Sequence, residues 1–94
     1  MTESAFYKIT GRLDGVTAAS HDAALRTMLT PSVQALTIDL AELDYVSSAG
    51  LRVLLLAAKT VKASGGGITL AHPTPNVHEV LRMSGFDKIF TITP

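Results

Sequence analysis

Apolar and polar positions alternate from Phe6 to Thr10, with Tyr7 and Ile9 on one side and Phe6, Lys8 and Thr10 on the other. That period of two predicts a strand, and Gly11 to Gly15 reads as the turn that leaves it. Between Thr17 and Leu29 the period lengthens, and Leu25, Met28 and Leu29 form the narrow apolar stripe of a first helix. Thr17 or Ser20 is its candidate cap, and Thr30-Pro31 its stop, because the residue before a proline is disfavoured in helical conformation. Ala35 to Leu40 predicts a short strand buried on both faces. Leu51, Leu54, Leu55, Ala58, Val61 and Lys62 recur at helical spacing and predict a second helix ending near Ala63. Gly65-Gly66-Gly67 supplies a left-handed C-cap and a tight return to the strand Ile68–Leu70. Thr74-Pro75-Asn76 places a cap before a proline at the first helical position, opening a third helix that runs through Met83 and ends at Gly85. Lys88 to Ile92 completes the pattern as a last strand, with Met83 and Phe86 expected in the core.

The order is therefore β-α-β-α-β-α-β. That alternation predicts an α/β fold, a sheet of about four mostly parallel strands joined by helical crossovers. A strand at Phe6 to Ile9 on the rim of such a sheet would leave an open edge, a pairing hazard.

Composition narrows the picture. Ninety-four residues with 47% hydrophobic and 17% charged content predict one domain over residues 1–94, a size that buries roughly 60–65% of the unfolded surface in one core. Eight basic residues balance eight acidic ones, without a Lys/Arg cluster, which argues against nucleic acid or an acidic membrane as partner. The absence of cysteine excludes disulfides and thiolate metal sites and makes the reducing cytoplasm the expected compartment. No apolar segment follows a basic start, so no signal peptide is expected, and the apolar run Val53–Ala58 is too short to span a bilayer. His21, His72 and His78 fall on separate elements without ligand spacing to Asp or Glu, so no metal is expected.

The candidate chemistry lies between the second strand and the second helix, in Leu43-Asp44-Tyr45-Val46-Ser47-Ser48-Ala49-Gly50-Leu51-Arg52. Ser47 and Ser48 stand where a helix takes its N-cap, a side-chain oxygen that accepts from unpaired backbone N–H groups. The plain reading is a capped helix; the sharper one is a hydroxyl held beside small Ala49 and Gly50 and exposed for chemistry. Catalysis by the chain itself is not expected. A nucleophilic serine needs a base in hydrogen-bond reach and an oxyanion site, Gly-x-Ser-x-Gly is absent, and Gly65–Gly67 lacks the Lys-Ser/Thr of a phosphate loop.

Tyr45-Val46-Ser47-Ser48-Ala49-Gly50-Leu51-Arg52-Val53-Leu54-Leu55 resembles the strand-to-helix corner of STAS domains, the fold of bacterial anti-sigma factor antagonists. Thr10–Asp14, Leu36–Leu40, Gly65–Ile68 and Leu81–Phe90 match the same family in order, so the resemblance covers about residues 6 to 92. It implies a binding module without cofactor, whose partner is a serine kinase that is also an anti-sigma factor and whose state is reset by a serine phosphatase. Aligned on Gly50-Leu51, the phosphoacceptor is Ser48, with Ser47 the less favoured choice. Ser47 stands where the family usually has aspartate, and Ala49 where it usually has serine. The partner surface implied is Asp14, Ser47, Ala49, Gly50, Leu51 and Arg52; Asp14 is equally readable as a turn carboxylate, Arg52 as a solvated side chain, and Tyr45 as a packing residue. Against antagonists of the family the chain reads as short at both ends, lacking an N-terminal strand and a C-terminal helix. The alternatives are an unphosphorylated accessory subunit of a phospholipid-transport ABC system and, last, a ligand-sensing STAS domain.

Overall fold

The computed structural model describes residues 3–94. The elements follow in the order β1 (Glu3–Lys8), β2 (Gly11–Leu13), α1 (Ala18–Met28), β3 (Val33–Asp39), β4 (Leu43–Val46), α2 (Ser48–Ala63), β5 (Gly67–Ala71), α3 (Pro75–Met83), a single 3-10 turn at Phe86–Lys88, and β6 (Thr91–Thr93). The main sheet has the order β1-β3-β5-β6, and every neighbouring pair in it is parallel. The mixed α/β architecture with a parallel four-stranded sheet is the one the alternation predicts. It leaves β1 at one rim, where Phe6 is 60% exposed.

Two short strands were not legible. Gly11–Leu13, expected as a turn, is β2, and it pairs in parallel with β4 in a separate two-stranded sheet. Two strands, not one, therefore precede α1. The strand that enters the corner is β4, not the longer Ala35–Leu40 run. Three- and four-residue strands carry too few positions for alternation to register, and each exists only because the other is beside it.

The strand expected to be buried on both faces alternates instead: on β3 Ala35 is exposed and Thr37 and Asp39 are only partly buried, so one face alone joins the core. Leu36 and Ile38 on β3 and Ile68 and Leu70 on β5 point into the core, while Thr37 and Thr69 lie opposite them. Ile9, Leu13, Leu40, Leu43, Leu54, Val61, Val77 and Leu81 complete the set of fully enclosed side chains. The second helix buries Gly50, Val53, Leu54, Ala57, Ala58 and Val61. Its inner stripe is thus rotated from the one expected: Leu51 and Leu55 flank it, and Lys62 is exposed. Small residues at 50, 57 and 58 let the helix approach the sheet closely, and so draw the helix in on that side.

The turns follow local chemistry. Gly65 adopts φ +82° just beyond the cap residue Ser64. A β-carbon on Gly66 would meet the Gln34 carbonyl oxygen at 2.5 Å. Thr17 and Thr74 hold the cap positions of α1 and α3, but neither hydroxyl caps its helix: they donate to the carbonyl oxygens of Arg12 and Leu43 instead. Met83, expected in the core, is 75% exposed, because Leu81 and Val77 already form the buried face of α3. Phe86 is half-buried, stacked at 5.2 Å on Phe90. The last strand begins at Thr91 rather than Lys88, since the 3-10 turn takes residues 86–88.

Candidate functional site

The corner is built by the pairing of β2 with β4. Leu43 and Val46, at the ends of β4, are buried, and Asp44 and Tyr45 between them face outward. Leu13 pairs with Val46, so Asp14 and Ser47 leave the two strands side by side. The Ser47 N–H donates to the Leu13 carbonyl at 2.9 Å, tying the corner to β2. Ser47 is extended (φ −99°, ψ 177°), and its hydroxyl oxygen accepts from the Gly50 N–H at 3.3 Å. It is the N-cap of α2, and its hydroxyl is committed to the backbone.

Ser48 differs. It occupies the first helical position, its side chain is exposed, and among the described residues its hydroxyl has no hydrogen-bond partner. The N–H groups of Ser48 and Ala49 belong to the first turn, which has no intrahelical acceptors and carries the positive end of the helix dipole. A negative group on Ser48 would be well placed there.

The other expected site residues divide. Gly50 is buried: a β-carbon there would stand 2.5 Å from the Leu13 carbonyl oxygen, so its place is under the helix and not on a partner surface. Leu51 is half-buried and packs against the core. Ala49 and Arg52 line, with Ser48, an open groove of about 440 Å³ between the N-terminal halves of α1 and α2. Ala18, Ala19, Asp22, Val53 and Leu56 form the rest of that groove. Asp22 is paired with Arg26 at 2.9 Å, one turn along α1. The Asp22–Arg26 spacing was a visible signal for such a pair; that it would face the corner was not, because the packing of α1 on α2 decides it.

Asp14 lies at the same end, and its carboxylate is occupied within the chain. Its Oδ1 accepts from the N–H groups of Val16 and Thr17 at 3.0 and 3.2 Å, and its Oδ2 from Arg12 Nε at 3.1 Å. The Arg12 guanidinium first, then these backbone N–H groups, hold the carboxyl below the usual carboxylate range. Asp14 thus caps the turn that opens α1, where its backbone carbonyl also accepts from Ala18 N–H. The same guanidinium lies 4.2 Å from the centre of the Tyr45 ring. Tyr45 is therefore a stacking platform, 38% exposed, rather than a core residue. Arg12 was not among the expected site residues; it is opposite Tyr45 only because β2 and β4 pair.

A mostly parallel α/β sheet with an exposed hydroxyl at a helix N-terminus, beside an open groove and an Arg-on-Tyr cluster, defines a small α/β domain with its candidate site at one strand-to-helix corner. A family model described as "Mlab, STAS domain" matches residues 3–93, and the chain belongs to that family. It is 38% identical over 82 residues to BtrV of Bordetella bronchiseptica, assigned as an anti-sigma factor antagonist, covering 87% of this chain and 71% of that one. Among solved structures it resembles an anti-sigma factor antagonist from Mycobacterium paratuberculosis, with a TM-score of 0.84, 26% identity, and 95% of this chain and 75% of that one covered. The unphosphorylated form of the anti-sigma factor antagonist SpoIIAA shares the fold with a TM-score of 0.84 at 21% identity, over 100% of this chain and 83% of that one. The phosphorylated form of SpoIIAA, from Bacillus, matches with a TM-score of 0.75 at 20% identity, over 100% and 86%.

Proposed function

We propose that this chain is an anti-sigma factor antagonist, or a related partner-switching regulator, whose binding to a serine kinase that doubles as an anti-sigma factor is turned off by phosphorylation of Ser48. The observation that carries this reading is the division of labour at the corner. The Ser47 hydroxyl is bound as the helix cap, whereas the Ser48 hydroxyl is exposed and uncommitted at the first helical position. The similarity to BtrV supports the antagonist role. That SpoIIAA, of the same fold, has a phosphorylated and an unphosphorylated form supports the switch.

In the proposed reaction, Ser48 Oγ forms a bond to the γ-phosphorus of ATP as the bond from that phosphorus to the bridging oxygen breaks. ADP leaves and the hydroxyl proton passes to a base of the kinase. The product carries about 1.5 to 2 negative charges and three acceptor oxygens. The first-turn N–H groups and the helix dipole tolerate that charge, so the domain stays folded and the change is confined to its surface. A partner packed on the corner through an apolar or acidic face must then desolvate a dianion. That costs about 2–5 kcal/mol, roughly 30-fold or more in affinity. A phosphatase reverses the modification.

The test is the intact mass of the protein and of its Ser47→Ala and Ser48→Ala variants after expression in the native host. A phosphate-sized increment present in the parent and in Ser47→Ala but absent from Ser48→Ala is the expected result. No increment under any growth condition overturns it and favours the unmodified accessory-subunit reading, for which co-purification of an ABC ATPase is the next measurement.

A further inference from the structure

Three of the four arginines already hold a carboxylate: Arg12 on Asp14, Arg26 on Asp22 and Arg82 on Glu79. Arg52 is the exception among the described residues. It is exposed and lines the groove that Ser48 opens, and the groove's own carboxylate, Asp22, is taken up by Arg26. Arg52 also follows Ser48 by four residues on one helix, a spacing that puts the two β-carbons about 6 Å apart on one face.

We propose that Arg52 is the latch of the switch: phosphorylation of Ser48 draws its guanidinium onto the phosphate and withdraws it from the groove. The inference rests on Ser48 being the phosphoacceptor and adds how the modification is read. In the unmodified protein the guanidinium has no carboxylate partner among the described residues and lines the groove, available to a carboxylate on whatever docks there. In the phosphorylated protein a dianion stands one turn towards the helix N-terminus, the favourable order for an i,i+4 pair of acid before base. The planar guanidinium matches two phosphate oxygens at once. A partner that relies on Arg52 then loses its anchor through competition as well as meeting a new charge. Neither Lys59 nor Lys62, farther along α2, can stand in, because each lies at least eleven residues beyond Ser48, about 16 Å along the axis.

The experiment places phosphoserine at position 48 during translation, so that no host kinase is needed, and follows the phosphate by 31P NMR through its second ionisation near pH 6. Pairing favours the dianion and lowers that pKa. Arg52→Gln is expected to raise it by about half a pH unit, a threefold change in proton affinity, while Lys59→Gln, which removes an equal charge from the same helix, leaves it in place. Amide spectra of both variants check that the fold is kept. Identical titrations of the parent and Arg52→Gln, or an equal shift from Lys59→Gln, overturn the latch. A missing phosphate in the native host overturns the functional reading alone.

Discussion

The carbonyl oxygen of Leu13 lies 2.5 Å from where a β-carbon on Gly50 would stand, so the first turn of α2 rests directly on the backbone of β2. The same carbonyl accepts the Ser47 N–H. One backbone oxygen therefore fixes both the cap of α2 and the height at which the helix starts. Gly50→Ala puts a methyl group against the Leu13 carbonyl oxygen at 2.5 Å and against the buried Leu13 and Val46 side chains at 2.8 and 2.9 Å. The expected loss is about 1–3 kcal/mol, a fall in Tm of several degrees for a domain of this size. Thermal unfolding followed by circular dichroism checks it, and an unchanged Tm would show that the corner relaxes freely.

The two serines of the corner are expected to separate in their stability effects. Ser47→Ala removes the hydroxyl that accepts from Gly50 N–H, at a cost of about 1 kcal/mol. Ser48→Ala removes an exposed hydroxyl that has no hydrogen-bond partner among the described residues and stays within about 0.5 kcal/mol of the parent. Urea unfolding of the pair measures the difference. Equal losses would mean that the cap is shared.

Asp14 gives the corner a pH dependence. Its carboxyl is held below the usual range by Arg12 and by the Val16 and Thr17 N–H groups. A folded-state pKa below the unfolded one binds fewer protons in the folded state, so the contribution is fully present above the ordinary carboxylate value. It is lost as pH falls through the lower folded one. Arg12→Gln removes the largest cause and should raise the Asp14 pKa, as read by carboxyl 13C NMR titration. It also unstacks Tyr45, which the Tyr45 ring resonances report. An Asp14 titration that does not move would place its stabilisation in the turn alone.

The third helix offers a contrast between two neighbouring apolar positions. Leu81 is fully buried and Met83 is 75% exposed. Leu81→Ala should cost about 2–5 kcal/mol, and Met83→Gln less than about 0.5 kcal/mol. Denaturant titration of both variants distinguishes this helix face from one rotated to bury Met83.

Elements whose signal is local were legible from the chain alone. The long helix α2, the alternation in β1, the apolar run of β3, the glycine return at 65–67 into β5 and the proline-opened α3 each show a period, an apolar run or a cap chemistry within a few residues. Together with the serine pair at a helix start, that was enough for the α/β class and for the corner as the place to look. Tertiary structure decided what depends on two segments meeting. Strands β2 and β4 are too short to show a period, and each forms only against the other. Their pairing brings Arg12 onto Tyr45 and Asp14 beside Ser47, and it presses Gly50 against Leu13. It also settles which serine is the cap, because the strand that β2 holds in place delivers Ser47, and not Ser48, to the end of the helix in extended conformation. Asp22 and Ser48 line one groove for the same kind of reason: helix–helix packing, not spacing in the chain, puts them on facing sides.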